Sequence, residues 1–384
     1  MKSKRTVLIV WHGALFPSYR KPFWLLQEKH GWEVHLLTVS SWRQALPAWT
    51  RFQPCENEPI RIHRAAAFFK FHGALFVQPA FPLIFNRVQP DVVYAAEEPF
   101  SLMGWLSVYW CKRRVPNVPA VLFTYQDIYK RYPAPFRWME KFVIDHADRI
   151  LASNTQGGAV VERKGYRRMW DVLPTAVNLD RFTYKEPHIQ EGLFTLGYAG
   201  RLADEKGLDT LLWAMSDLGD DVRLRVVGDG SARYRLEKLA RELGVYERVG
   251  FSRPISHEDL PAFYHDCNAF VLPSKTQKNW QEQFGRALAE AMACGTPVIG
   301  SDCGAIPEVV GDAGLLFPEG KANKLAKKIQ MLQRDPNLQR ELSFRGRVRV
   351  EREFSAERVA RKLDRHFREV LEQGKMQEDG EYSE

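Results

Sequence analysis

Three stretches carry residue types and spacings suited to chemistry. The first is Gly200-Arg201-Leu202-Ala203-Asp204-Glu205-Lys206-Gly207, directly after the apolar run Leu196–Ala199. Gly200 lets the backbone approach a ligand closely. Arg201 supplies a two-pronged donor and Lys206 a point charge, a pairing suited to a diphosphate. The same mixture of Arg, Lys and Glu also fits a solvated loop. The second runs from Glu282 through Phe284, Gly285, Arg286 and Glu290 to Gly295. Its Ala-rich composition predicts a helix from about Phe284 to Cys294, closed by Gly295 as a left-handed cap. With Leu288 and Met292 on the buried stripe, helical rotation turns Arg286 and Glu290 away from it. Glu282 precedes the first turn, so the free N–H groups of the helix start lie between two carboxylates. That is an anion site with an acid on either side to hold hydroxyl groups, one on a ribose and one on a sugar. Taken alone, Glu290 is equally an exposed helix residue, and Glu282 an acid that complements the helix dipole. The third stretch, Val226-Val227-Gly228-Asp229-Gly230, is a strand followed by a glycine turn. As a dinucleotide fingerprint it is incomplete, because Arg233 stands at the third glycine.

What is missing narrows the chemistry. No Gly-Lys-Ser/Thr loop occurs, which argues against an ordinary NTPase, and no Asp-x-Asp pair occurs, which argues against a metal-chelated nucleotide sugar and favours metal-independent binding. Five cysteines without a Cys-x-x-Cys pair argue against a disulfide framework or zinc site; they read as buried small hydrophobes in a reducing cytoplasm. No apolar run reaches the ~18–20 residues of a membrane span. The start Lys2, Lys4, Arg5 followed by Val7–Val10 is too short for a signal peptide and reads as a first strand.

Those residues need a framework. The 384 residues suit two or three domains, and 45% hydrophobic with 27% charged residues suits a globular core. Strands are predicted at Thr6–Val10, Val34–Val39, Val92–Ala96, Val121–Tyr125, Arg149–Ser153 and Val172–Val177. A second set follows at Leu196–Ala199, Leu224–Val227, Ala269–Pro273, Pro297–Ser301 and Leu315–Phe317. These runs are continuous rather than alternating, as in parallel sheets covered on both faces. Helix-sized segments between them give an α/β chain of two doubly wound, Rossmann-like domains, 1–185 and 190–352, joined through the polar Phe182–Gly192. Ser355 caps an amphipathic helix over 355–372, with Val359, Leu363, Phe367 and Val370 on one face. The tail 373–384 is polar and acidic and is expected to be disordered. Ligands of such sheets bind beyond the carboxyl ends of the strands, so two facing sheets would hold a ligand in the cleft between them.

As an ensemble these segments resemble the retaining glycosyltransferases of family 4, which have the GT-B architecture. The resemblance is carried by GYAGRLADEKGLDTLLWAM (197–215), VVGDG (226–230), VGF (249–251) and EQFGRALAEAMACGTPVIGSDCGAIPEVVGDAGLLF (282–317). More loosely it is carried by HADRILASN (146–154) and VLPTAVNLDRF (172–182), where Thr175, Ala176 and Asn178 depart from the family pattern. The resemblance implies that Arg201 and Lys206 hold the donor diphosphate and neutralise the departing charge. It implies that Glu290 takes the ribose hydroxyls and Glu282 those of the donor sugar, and that Phe284 and Gly285 contact sugar or phosphate through their backbone. Gly13, Gly200, Gly228 and Phe251 complete the donor site. His12-Gly13 stands where the family has a Gly-Gly loop, and Gln126 stands where many relatives carry a His. Gln cannot titrate, but front-face substitution with retention, in which the leaving diphosphate helps to deprotonate the acceptor, survives that change. The helix after Ser355 would cross back to the first domain.

The acceptor side is expected on the first domain, with His12, Arg20, Glu97, Glu98 and Asp127 as candidates, alongside Lys21, Trp24 and the run Phe68-Phe69-Lys70-Phe71-His72. Glu97 and Glu98 are equally a helix start. Trp105, Tyr109 and Trp110 followed by Lys112, Arg113 and Arg114 could dock on an anionic bilayer, or form a core helix with a basic end. The net charge of +8 is uneven. Residues 1–190 hold 26 Lys/Arg against 15 Asp/Glu and nine of eleven tryptophans; residues 191–384 hold 29 against 32. The cationic excess therefore belongs to the acceptor, or to the membrane that carries it, rather than to the diphosphate. The expected activity is metal-independent, cofactor-free transfer of a sugar from a nucleotide-diphosphate donor, UDP favoured over GDP. The expected acceptor is a hydroxyl on a cell-surface glycan or lipid-linked precursor, on the cytoplasmic side of the membrane. A nucleotide-sugar epimerase or phosphorylase of the same fold, or a silent sugar- or lipid-binding scaffold, are the competing readings. Nucleic-acid binding, the generic expectation for so basic a chain, has no motif here.

Overall fold

The computed structural model describes residues 4–42, 50–70, 72–115, 117–187, 189 and 192–381. The chain divides into two compact units, Met1–Ala176 with Ala356–Glu384, and Val177–Ser355.

In chain order the first unit runs β1 (Thr6–Val10), α1 (Pro17–His30), β2 (Glu33–Thr38), β3 (Ser41–Trp42), β4 (Thr50–Arg51), β5 (Arg61–Arg64), α2 (Phe81–Val88), β6 (Val92–Ala95), α3 (Leu102–Arg113), β7 (Ala120–Thr124), α4 (Phe136–His146), β8 (Arg149–Ala152), α5 (Thr155–Arg163) and β9 (Trp170–Val172). Seven strands form one parallel sheet in the order β5-β2-β1-β6-β7-β8-β9, while β3 and β4 pair antiparallel. Alternate residues of β1 enter separate cores, as the pleat requires. Val7 and Ile9 pack with Phe23 and Leu26 of α1, and Leu8 and Val10 with Phe81, Phe85 and Met103. Burial on both faces is why the strands read as unbroken apolar runs.

The second unit runs β10 (Phe194–Ala199), α6 (Leu208–Ser216), β11 (Val222–Val227), α7 (Arg233–Glu242), β12 (Val249–Ser252), α8 (Leu260–His265), β13 (Ala269–Leu272), α9 (Arg286–Ala293), β14 (Val298–Ser301), α10 (Ile306–Val310), β15 (Leu315–Phe317), α11 (Ala322–Arg334) and α12 (Pro336–Glu353). Its six strands are all parallel, in the order β12-β11-β10-β13-β14-β15. The chain then returns to the first unit as α13 (Ala356–Glu381). Val359, Leu363, Phe367 and Val370 of α13 are buried there, with Phe367 edge-on to Trp32 at 5.5 Å.

Several expectations shift. The division falls at Ala176/Val177, not at 182–192, because the Val177 amide donates to the Phe354 carbonyl at 2.8 Å and draws 177–187 into the second unit. The strand β9 ends at Val172 instead of Val177, since Pro174 has no N–H to carry the ladder on. The stretch expected to be a disordered tail is helical through Glu381, its Glu, Gln, Lys and Met being good helix formers. The edge strands β5 (Arg-Ile-His-Arg) and β12 (Val-Gly-Phe-Ser) escape a search for apolar runs, since edges are kept polar or short. Four cysteines are buried, Cys55 is half-buried, and all five are free. Among the described residues no helix is long and apolar enough to cross a membrane.

Candidate functional site

In the second sheet the chain moves from β10 out to β11 and β12 on one side, then to β13 and beyond on the other. The loops after β10 and β13 therefore diverge, and a crevice opens at their carboxyl ends. Lys206, from the loop after β10, donates to Glu282 Oε2 at 2.7 Å. Ser274, just past β13, donates to the same oxygen at 2.8 Å. The Lys206 ammonium also lies 4.7 Å from the centre of the Trp280 ring, within cation–π range. Two glycines hold this loop in place. Gly207 has φ +68°, and a Cβ on it would stand 1.9 Å from the Pro273 carbonyl oxygen; one on Gly228 (φ +154°) would stand 1.9 Å from the Gly200 oxygen. Arg201 pairs with Glu205 at 2.6 Å and keeps about two-fifths of its side chain exposed, while its carbonyl accepts from Tyr198 Oη at 2.8 Å.

The helix α9 starts at Arg286 rather than Phe284, because Gly285 takes a left-handed conformation (φ +81°) as its N-cap. Phe284 is buried and edge-on to Phe354 at 5.3 Å. The Glu282 carbonyl accepts the Ala305 amide at 2.8 Å, fixing the approach to the helix. Gly295 ends α9 with φ +84°, as expected. Glu290 does turn away from Leu288 and Met292, yet it is only 5% exposed, so the exposed-helix reading fails. It faces α8 and the loop before it, accepting from Tyr264 Oη at 3.1 Å and lying 3.3 Å from His257 Nε2. Burial first, and the neighbouring Glu290 second, push the Tyr264 phenol well above its ordinary range, so it stays a donor. Phe251 is half-buried on β12. Its carbonyl and that of Gly228 both accept from Arg233, so the residue that breaks the glycine fingerprint ties these two loops together.

The first sheet has its own switch point, between β1 and β6. His12 and Gly13 follow β1, Glu97 and Glu98 follow β6, and Gln126 and Asp127 follow β7. Glu97 accepts the His12 amide at 2.9 Å and His12 Nδ1 at 2.8 Å. Glu98 accepts from Thr124 Oγ1 at 2.6 Å and the Tyr125 amide at 2.9 Å. Burial raises the Glu98 carboxyl to about 7 against those two bonds, with Glu97 and Asp127 adding a smaller push. Gln126 donates to Tyr132 Oη at 3.2 Å. Asp127 is buried beside it. Arg20 does not join this group. It is wholly buried, bonded twice to Glu58 at 2.6 Å and to the carbonyls of Ala14 and Gln53, so the structure spends it on holding a loop. Trp105 and Tyr109 stack on each other at 4.9 Å and pack on Phe142 of α4, and Lys112 pairs with Asp148. That is the core-helix arrangement. Phe68 and Phe69 are exposed, and Phe71 lies outside the described residues.

Sequence reasoning missed Ser274, Trp280, Tyr264, His257 and Thr124 as partners. Ser274 was within reach, since it directly follows the expected strand Ala269–Pro273. Trp280 and His257 sit in loops with no periodic signal.

Residues 180–349 match the family described as Glycosyl transferases group 1. The chain is 32% identical over 239 residues to the D-inositol 3-phosphate glycosyltransferase of Streptomyces bingchenggensis, covering 56% of this chain and 51% of that protein. It thus spans about half the length of the curated relatives it matches. Among solved structures, sucrose-phosphate synthase of Thermosynechococcus elongatus superposes with TM-score 0.74 at 24% identity, over 96% of this chain and 99% of that one. Anabaena HepE, solved in complex with UDP, superposes with TM-score 0.72 at 16% identity, over 95% and 100%. These likenesses, with two parallel Rossmann-like sheets, give the chain the GT-B fold. The match to glycosyl transferases group 1 falls within its second unit, Val177–Ser355.

Proposed function

We propose that the protein is a retaining glycosyltransferase that moves a sugar from a nucleotide-diphosphate donor, UDP before GDP, to a hydroxyl acceptor. The observation that carries this reading is the Lys206–Glu282–Ser274 cluster at the β10/β13 switch point, beside the start of α9. Lys206 and Arg201 are both paired with carboxylates, so each cation is already positioned and each has a partner to exchange for phosphate oxygens. As the C1–O bond to the diphosphate breaks, negative charge gathers on the leaving group, and these two cations stabilise it. The acceptor oxygen bonds to C1 from the same face, and its proton passes to the departing diphosphate. Glu282 holds a donor-sugar hydroxyl and Glu290 the ribose, releasing His257. Gln126 supplies hydrogen bonds where a His would serve in relatives.

With two cations at the diphosphate, the transfer we propose needs no metal. HepE, solved with UDP, supports UDP as the nucleotide. The name of the Streptomyces relative supports a polyhydroxylated acceptor. The cationic excess over residues 1–190 supports an acceptor carried at an anionic membrane surface, as a lipid-linked precursor or growing glycan would be. A thermal-shift panel of UDP-, GDP- and dTDP-sugars tests the reading. A UDP-sugar should raise Tm in the presence of EDTA, and NMR of the product should show the anomeric configuration of the donor. No response to any nucleotide sugar would overturn it.

A further inference from the structure

His12 and Glu97 lie 85 residues apart and meet at the switch point of the first sheet. Both oxygens of the Glu97 carboxylate lie 2.8 Å from His12 Nδ1, and one also takes the His12 amide at 2.9 Å. A carboxylate only accepts, so Nδ1 carries the proton, and in the neutral ring Nε2 is left with its lone pair. Among the described residues Nε2 has no hydrogen-bond partner. The ring packs against Trp42 at 4.2 Å and Phe76 at 5.4 Å, both buried, which fixes its plane, while 23% of the side chain stays exposed. An imidazole whose tautomer is set by a buried acid, whose second nitrogen has no partner among the described residues and whose side chain keeps solvent exposure can accept a hydrogen bond from a ligand hydroxyl.

We infer that His12 Nε2 binds a hydroxyl of the acceptor, and that this acceptor is neutral where it meets the site, a sugar or cyclitol ring rather than its phosphate. The charged groups facing His12 are Glu97 and Glu98, both acids, and they disfavour an anionic group at this position. The inference rests on the transferase reading and deepens it, since the loop after β1 departs here from the glycine pair of the family. Neutral His12 is the competent form. Burial lowers its pKa, but the charge and hydrogen bond of Glu97, with the charge of Glu98, outweigh burial and leave it raised. Acceptor binding therefore weakens as pH falls through the raised His12 midpoint.

Two measurements test it on the full chain. In 15N NMR of the wild-type imidazoles at pH 8, His12 should show the Nδ1–H tautomer, and Glu97→Gln should move its midpoint down; an Nε2–H tautomer would overturn the proposal. Transfer is then measured to glucose, galactose and myo-inositol, and to their phosphates. His12→Phe, which keeps a ring between Trp42 and Phe76, should raise the acceptor KM at least about tenfold, the loss of one hydrogen bond. His12→Gln should recover most of it and lose the acid limb. Preference for the phosphates, transfer to none of the six, or an unchanged acceptor KM in His12→Phe would overturn it. UDP binding to the wild type, read separately by thermal shift, reports on the transferase reading alone.

Discussion

Lys206 Nζ lies 2.7 Å from Glu282 Oε2, joining two residues 76 apart in sequence at the point where the strand order of the second sheet reverses. The ammonium is neutralised by a carboxylate that Ser274 holds from the other side. On the proposed reading, diphosphate binding exchanges one anionic partner for another instead of ordering a loose side chain.

Lys206→Met separates the two roles of this pair. It should weaken UDP-sugar binding and lower transfer by about 10²–10³-fold, the scale for removing one stabiliser of transition-state charge. It also strands Glu282, so stability should fall by about 1–3 kcal/mol. Adding Glu282→Gln should recover much of that stability and none of the activity. Chemical denaturation beside a transfer assay gives both numbers, and wild-type turnover in Lys206→Met would sink the assignment.

Gly207 sets the position of Lys206 through backbone alone. At φ +68°, and with the Pro273 oxygen 1.9 Å from where a Cβ would stand, Gly207→Ala forces the two loops apart. The expected loss is about 2–4 kcal/mol, together with weaker UDP binding, because the strained conformation and the clash add. Gly244→Ala serves as the control. Its φ is +70° but it has open space around it, so it carries strain without a clash. Equal losses in the two variants would show that the approach to Pro273 does not matter.

The sheets and the cation-bearing loop after β10 were legible because their signals are local. Strands buried on both faces leave apolar runs, and Gly200–Gly207 announces itself by composition next to one of them. Partners set by tertiary packing were not legible. The helical angle turns Glu290 away from Leu288 and leaves open whether it meets solvent or a ligand, but says nothing of Tyr264 arriving from α8. Arg20 is expected among the acceptor-side candidates, whereas Glu58, 38 residues on, folds back to enclose it. The unit boundary was missed for a similar reason. The polarity of 182–192 was visible, but the bond from Val177 to Phe354 was not.

Arg20 supplies a test of that last kind of error. Its guanidinium is buried over the Phe52 ring at 4.5 Å and satisfied by Glu58, Ala14 and Gln53. Arg20→Met keeps most of the volume but leaves the Glu58 carboxylate, itself largely buried, with Trp24 Nε1 as its remaining side-chain donor among the described residues. Stability should drop by about 3–5 kcal/mol, the cost of breaking one side of a buried pair. Acceptor KM, measured well below the new Tm, should hold; a raised KM with wild-type stability would return Arg20 to the acceptor site.

Glu98 makes stability depend on pH, with a sign opposite to that of most carboxylates. Its carboxyl is raised from 4.5 to about 7, chiefly by burial. Below about pH 4.5 it is protonated folded and unfolded alike, and above about 7 it is ionised in both. Between these values the folded protein holds a proton that the unfolded chain has lost, so stability falls as pH rises across the window. Glu98→Gln keeps an amide oxygen to accept from Thr124 or the Tyr125 amide and removes the titration. The variant should therefore match the wild type near pH 4.5 and gain on it steadily up to about pH 7, with a constant margin beyond. Urea midpoints at half-unit steps measure this directly. Parallel profiles would mean that the Glu98 carboxylate is solvated, and that Thr124 and the Tyr125 amide stabilise its charged form enough to offset burial.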